Sequence, residues 1–326
     1  MYSLLLVAAS VGDKIDPIFR GFDMWVYRIF GAMQNGFLTT VAKVLTSFGD
    51  ENFVIPVAVL GVVLCLFKKT RKYGFALVFA IAVGTLVTNV VVKPAFLRIR
   101  PYNTLQTTEF WGEYSKWYAA AGSLSESDYS FPSGHTTAAF EMAIAMFLCF
   151  RNTAKEKLKE TGKKAVIGKV AFVLPIIALC TMGSRVYLMV HYPTDVLAGL
   201  VVGTCAGIIG YLGSKLVCRL IEKTALDKID LEKLFKKGIT AKAASACVVV
   251  ILIGFFCLSY IPSLSEGGAE EARCEYNQSY GGEYDCNNAA RDADDDKYPA
   301  FDADGDGTPD RFCKIHWKEL QEKKAG

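Results

Sequence analysis

The chain has 326 residues, 52% of them apolar, a formal net charge of +3 and a mean hydropathy of +0.27. That apolar surplus is high for a water-soluble globular protein and points to the bilayer, and no nucleic-acid partner is expected. A membrane-spanning helix takes roughly 20 mostly apolar residues, so the apolar runs are the natural units of the reading.

The start, MYSLLLVAAS, has an apolar run with no basic region before it and no stop-transfer pattern after it, so a conventional signal peptide is not expected. Residues 13–50 interleave Trp25, Tyr27, Phe30 and Phe37 with Asp23, Arg28 and Lys43. That pattern suits an amphipathic helix at the membrane surface better than a span, which makes 1–51 an N-terminal surface segment. Six apolar windows follow, at 52–67, 75–92, 136–150, 166–190, 196–217 and 243–261, the first and third needing flanking residues to span.

Charge sets the orientation. From Ser263 onward there are 16 acidic and 8 basic residues, which leaves 17 acidic and 28 basic upstream. The basic excess gathers at 68–72, 151–164 and 215–242, each after an alternate window, so all three can face the cytoplasm. The expected fold is an all-α polytopic transmembrane bundle of about six spanning helices with a small, acidic, loop-rich C-terminal tail outside the cell. The segments are a core at 52–217, a basic linker with the last helix at 218–262, and the tail at 263–326. Cys65, Cys149, Cys180, Cys205, Cys247 and Cys257 fall in apolar windows, where a thiol behaves as a small hydrophobe. Cys274, Cys286 and Cys313 lie in the tail, their pairing open.

Three segments then meet at the outer face: KPAFLRIRP with Lys93, Arg98 and Arg100; FPSGHTT with Ser133, Gly134 and His135; and SRVYLMVHYPTD with Arg185, His191 and Asp195. Cations on that side run against the positive-inside bias, and an anion site explains the set, because guanidinium forks pair with phosphate oxygens and an ammonium supplies a compact charge. Arg98 alone reads as an interfacial side chain. Pro132 suits the first turn of a helix, with the N–H groups of Ser133, Gly134 and His135 aimed at an anion. Pro193 does the same for the next helix and places Asp195 at its positive end, where the carboxylate can accept one ring N–H of His191 and leave the other nitrogen free to attack. Two of only three histidines lie in these segments. One nucleophile and one proton donor are what cleavage of a phosphoester through a covalent intermediate requires.

Lys93, six residues, Arg100–Pro101; Pro132–Ser133–Gly134–His135; and Ser184–Arg185, five residues, His191, three residues, Asp195 together resemble the three-part signature of the type 2 phosphatidic acid phosphatase superfamily, over roughly residues 20–217. The resemblance implies a metal-independent phosphatase on a helical bundle in the cell membrane, its site open at the outer surface. His191 would be the nucleophile that forms a phosphohistidine, Asp195 its orienting partner and His135 the acid for the leaving group. Lys93, Arg100, Ser133, Gly134 and Arg185 would be the phosphate cradle. The implied substrates are lipid phosphates or diphosphates: phosphatidate, phosphatidylglycerol phosphate or a polyprenyl diphosphate.

Gly199, Gly203 and Gly207 form a small-residue stripe that suits packing within the molecule. Glu141 lies inside an apolar window and is given a structural hydrogen-bond role. In the tail, Asp302, Asp304, Asp306 and Asp310 have the spacing of a calcium loop, although Cys313 stands where an EF-hand wants glutamate. The alternative function is a non-catalytic membrane anchor that binds lipid headgroups and displays a calcium module.

Overall fold

The computed structural model describes residues 11–224, Ser127 excepted. The first ten residues, the window at 243–261, the three tail cysteines and the candidate calcium ligands Asp302, Asp304, Asp306 and Asp310 lie outside the described residues.

The described chain is helical: α1 (Val11–Ala32), α2 (Gly36–Thr46), α3 (Glu51–Cys65), α4 (Arg71–Thr85), a π-helical stretch (Leu86–Val92), α5 (Lys93–Phe96), α6 (Pro101–Thr104), α7 (Trp111–Ala121), α8 (Gly134–Thr161), α9 (Ile167–Val170), α10 (Val173–Tyr187) and α11 (Pro193–Ile221). Polar residues mark the starts, because first-turn N–H groups need acceptors. Asn35 accepts from Leu38 N–H and Asp50 from Asn52 N–H, both at 2.9 Å. Pro193 opens α11 at a position where its missing N–H removes nothing, and Asp195 accepts the Tyr192 N–H at 3.0 Å.

Helices α4, α8 and α11 form the centre, with α3 against α4, α10 against α8, and α2 against α10. The stripe on α11 explains the close approach. A Cβ on Gly199, Gly203 or Gly207 would lie 2.8, 2.5 and 2.8 Å from the carbonyl oxygens of Ser133, Thr137 and Glu141 on or beside α8. The stripe therefore packs within the molecule, as its spacing suggested. Outward rows such as Ile55, Val59 and Val62 on α3, and Val201, Ile208, Leu212 and Leu216 on α11, stay exposed, as lipid-facing helices require.

Four helical stretches among the described residues are long and apolar enough to cross a membrane: Gly36–Cys65, Arg71–Thr104, Ile167–Tyr187 and Pro193–Ile221. Two of the six expected windows are not among these four. The window at 136–150 belongs to α8, which is walled in by α4, α10 and α11 and ends in charged turns, so its sequence needs less apolar surface than a lipid-facing helix. The sixth window is outside the described residues. The first window gains its missing length from the N-terminal side, through α2. Helix α1 exposes Ile18, Phe19, Phe22, Trp25 and Ile29 while burying Asp16, Asp23 and Tyr27, so two carboxylates and a tyrosine face the protein and these five large apolar side chains face outward.

Candidate active site

Local backbone geometry delivers the site residues. Leu97 caps the end of α5, and Met189 follows Leu188, which caps the end of α10; Leu97 and Met189 take left-handed φ values of 51° and 59°. A left-handed non-glycine residue costs about 1–2 kcal/mol, and such strain concentrates at functional sites. One turn feeds Arg98 and Arg100 inward and the other feeds His191. All three are at most 1% exposed.

His191 is held at both ring nitrogens. Its Nδ1 lies 2.9 Å from the Ser130 carbonyl oxygen, which can only accept, so Nδ1 carries the proton and Nε2 the lone pair. Arg100 Nη1 donates to that lone pair at 2.9 Å. Burial first, and then the positive charges of Arg100, Arg185, His135 and Lys93, hold the His191 imidazole well below the ordinary histidine pKa, so the ring is neutral at neutral pH. Its own carbonyl accepts from the Tyr27 hydroxyl at 2.8 Å.

Asp195 sits one step further from the ring than the sequence suggested. Its Oδ2 is 3.5 Å from Nδ1, against 2.9 Å for the Ser130 carbonyl, so the backbone and not the carboxylate takes the ring N–H. Asp195 is fixed instead by the Ser130 hydroxyl, the Tyr192 N–H and Arg98.

Arg98, read from sequence as an interfacial side chain, is fully buried. It donates through Nη1 to Asp195, through Nε to Asp16 at 2.7 Å and through Nη2 to Asp23 at 3.2 Å, and its guanidinium stacks 3.8 Å from the Tyr192 ring centre. Asp23 also accepts the Thr194 N–H at 3.0 Å. Helix α1 thus reaches the His191–Asp195 turn through two buried carboxylates.

Lys93, Arg100 and Arg185 converge beside His191, at 7%, 1% and 2% exposure. One loop, between α7 and α8, supplies their counter-charges. Asp128 pairs with Lys93 and Arg100, and Glu126 pairs with Arg185 and, at 2.8 Å, with Arg100. Arg185 Nη1 also donates to Thr46 Oγ1 at 2.8 Å, while its Nε is buried without a hydrogen-bond acceptor among the described residues.

The PSGH segment is arranged differently from expectation. Helix α8 begins at Gly134 with Ser133 as N-cap, so Pro132 stands before the helix and not in its first turn. The Ser133 N–H donates to the Asp195 carbonyl oxygen at 3.1 Å and is not available to an anion; Gly134 and His135 supply the first-turn donors. A Cβ on Gly134 would lie 3.6 Å from Lys93 Nζ, which places the helix start against the cradle. His135 is part-exposed, with Nε2 3.6 Å from an Asp50 carboxylate oxygen. Glu141 is buried against Gly84, and its Oε2 accepts no hydrogen bond among the described residues, so the structural bond expected of it is not formed at that atom.

The structure therefore gathers Lys93, Arg100, Arg185, His191 and Asp195 directly, with Ser133 and Gly134 beside them. Asp16, Asp23, Asp50, Glu126, Asp128 and Ser130 carry the site's polar contacts without having been singled out for it. Among the described residues no group of three or more His, Cys, Asp or Glu side chains is placed to hold a metal ion.

Residues 73–216 match the PAP2 superfamily. The chain is 29% identical over 185 residues to an undecaprenyl-diphosphatase of Sulfolobus acidocaldarius, covering 56% of this chain and 74% of that one. It is 30% identical over 190 residues to undecaprenyl-diphosphatase BcrC of Bacillus subtilis, covering 57% and 81%, and 30% identical over 206 residues to phosphatidylglycerophosphatase B of the same organism, covering 62% and 86%. With its ordered signature gathered at one site and relatives matched over most of their length, this chain belongs to the PAP2 superfamily and is an integral membrane lipid phosphatase.

Proposed function

We propose that the protein removes a phosphate group from a polyprenyl diphosphate or from phosphatidylglycerol phosphate at the outer membrane surface, through a phosphohistidine at His191. The observation that carries the chemistry is the fixed tautomer: with its Nδ1 proton given to the Ser130 carbonyl, the Nε2 lone pair faces the convergence of Lys93, Arg100 and Arg185. The substrate class comes from the names of the relatives, two undecaprenyl-diphosphatases and a phosphatidylglycerophosphatase.

In the first step Nε2 attacks phosphorus, the bond from phosphorus to the leaving oxygen breaks, and His135 gives that oxygen a proton. The imidazole becomes a cation on phosphorylation, and Asp195, 3.5 Å from Nδ1, offsets the new charge. In the second step a water attacks phosphorus, His135 takes its proton, and the N–P bond breaks to release inorganic phosphate and restore neutral His191. The cradle cations and the first-turn N–H groups of Gly134 and His135 stabilise charge on the transferring phosphoryl. The chemistry runs without a metal.

The positive-inside pattern supports a site on the outer face, with α8 and the apolar stretch at 243–261 completing six membrane passages. The alternative of a non-catalytic headgroup-binding anchor loses its ground with membership of an enzyme family. Phosphate release by the purified protein, with chelator present, over undecaprenyl diphosphate, phosphatidylglycerol phosphate and phosphatidate tests the reading. Turnover of at least one substrate is expected, and none of any would overturn it.

A further inference from the structure

All three cations of the cradle are already paired, by two carboxylates of one loop. Glu126 and Asp128 place their carboxylate oxygens on Lys93, Arg100 and Arg185, where phosphate oxygens would otherwise sit. Glu126 Oε2 is also 3.9 Å from His191 Nε2, the nitrogen that has to reach phosphorus. Arg100, tied to both carboxylates, covers the same lone pair. A phosphoryl group can reach Nε2 only by displacing these carboxylates and turning Arg100 toward itself. The two acids are suited to leaving: their side chains are 23% and 48% exposed, while the cations they pair with are at most 9% exposed at the side chain. The exchange is also balanced in charge, because a phosphate monoester brings about two negative charges to replace the two carboxylates.

We propose that Glu126 and Asp128 form an internal anionic plug that the substrate headgroup displaces, which makes these two residues determinants of headgroup selectivity. With the plug in place, a headgroup must outcompete two carboxylates for three cations, so a diphosphate, with more negative charge and more acceptor oxygens, gains over a monoester. Inorganic phosphate, the product, meets the same competition and leaves more readily. Both carboxylates come from a loop outside the signature segments, so the selectivity is separable from the chemistry. This rests on the phosphatase reading of the same site, and the test keeps the two apart.

The experiment uses the full chain purified in detergent, as wild type and as Glu126→Gln, Asp128→Asn and the double variant. Inhibition constants for inorganic phosphate and orthovanadate are measured together with kcat and KM for undecaprenyl diphosphate and phosphatidate. The expected result is a phosphate inhibition constant at least about tenfold lower in the double variant, equivalent to about 1.4 kcal/mol. KM should fall more for the monoester than for the diphosphate. Inhibition constants that stay the same or rise would overturn the plug and make the two acids positioning groups for the cations. A second measurement needs no variant: orthovanadate should speed cleavage of wild-type protein after Glu126 by a glutamate-specific protease, because the loop is expelled, and equal or slower cleavage would overturn the proposal. Orthovanadate binding to a wild type that hydrolyses no lipid phosphate, with the predicted protease response, would leave the plug standing and sink the phosphatase reading.

Discussion

Replacing Arg98 by methionine tests whether helix α1 belongs to the reaction centre. Methionine keeps the length and the apolar stem but removes the donations to Asp195, Asp16 at 2.7 Å, Asp23 at 3.2 Å and Thr194 at 2.7 Å, together with the stack on Tyr192. Three carboxylates, at 7%, 2% and 0% exposure for Asp16, Asp23 and Asp195, are then left in one buried pocket without their shared cation. Removing one partner of a buried ion pair costs about 3–5 kcal/mol. At about 2–4 °C per kcal/mol for a described region of this size, Tm in detergent should fall by about 6–20 °C. The catalytic loss is separate. An Asp195 no longer held by Arg98 is not placed to offset the phosphohistidine charge, so kcat should drop by up to about 10⁴, the loss on replacing the carboxylate behind a catalytic histidine. KM should hold, because Lys93, Arg100 and Arg185 make their own contacts with Glu126 and Asp128. Adding Asp16→Asn to the Arg98→Met variant should recover part of the Tm but not kcat, since it removes one of the three buried negative charges without restoring Asp195. The assays are scanning fluorimetry and steady-state phosphate release. An Arg98→Met protein with wild-type kcat and Tm would refute the coupling.

Other expectations follow from the same geometry. His191 is held well below the ordinary histidine pKa, so below about pH 6.5 the unfolded chain takes a proton that the folded chain refuses, and stability falls with acid by up to about 1.4 kcal/mol per pH unit. His191→Gln should flatten the slope of Tm against pH between about 5 and 6.5, and an unchanged slope would contradict the assignment. Asp128, which burial pushes up but Arg100 and Lys93 outweigh and hold at about 2, adds its own loss only below about pH 4. Gly203→Ala puts a Cβ 2.5 Å from the Thr137 carbonyl and should destabilise the α8–α11 contact by about 1–3 kcal/mol; Gly183→Ala, with nothing within 4 Å, should be neutral or better. Phosphate release should be unchanged in excess chelator, and loss of turnover would overturn the metal-free chemistry.

The cluster of candidate residues was legible in the sequence because rare residue types stand there at fixed spacing. Lys93, Arg100, Arg185, His191 and Asp195 each lie near a helix end and meet once those ends share one face. Arg98 was misread because its partners are far away in sequence, Asp16 and Asp23 standing 82 and 75 residues before it on a helix whose aromatics dominate the pattern. Glu126 and Asp128 escaped notice because acids in a polar loop look like solvated surface until the loop is laid over the cations. The Asp195 assignment was close but one contact out, since no side-chain pattern reveals that the Ser130 carbonyl takes the ring proton. The window at 136–150 read as short for a packing reason: α8 is enclosed by three other helices and can carry charged turns and an internal glutamate that a lipid-facing helix would not tolerate.

The central claim is that phosphoryl transfer passes through His191. Purified protein mixed with phosphorus-32-labelled undecaprenyl diphosphate and excess chelator, then quenched in alkali within a single turnover, should carry label in a peptide containing His191, bound through an acid-labile, base-stable phosphoramidate. His191→Ala should show neither label nor turnover while keeping its helical content. Label on another residue, or phosphate release by the alanine variant at the wild-type rate, would contradict it.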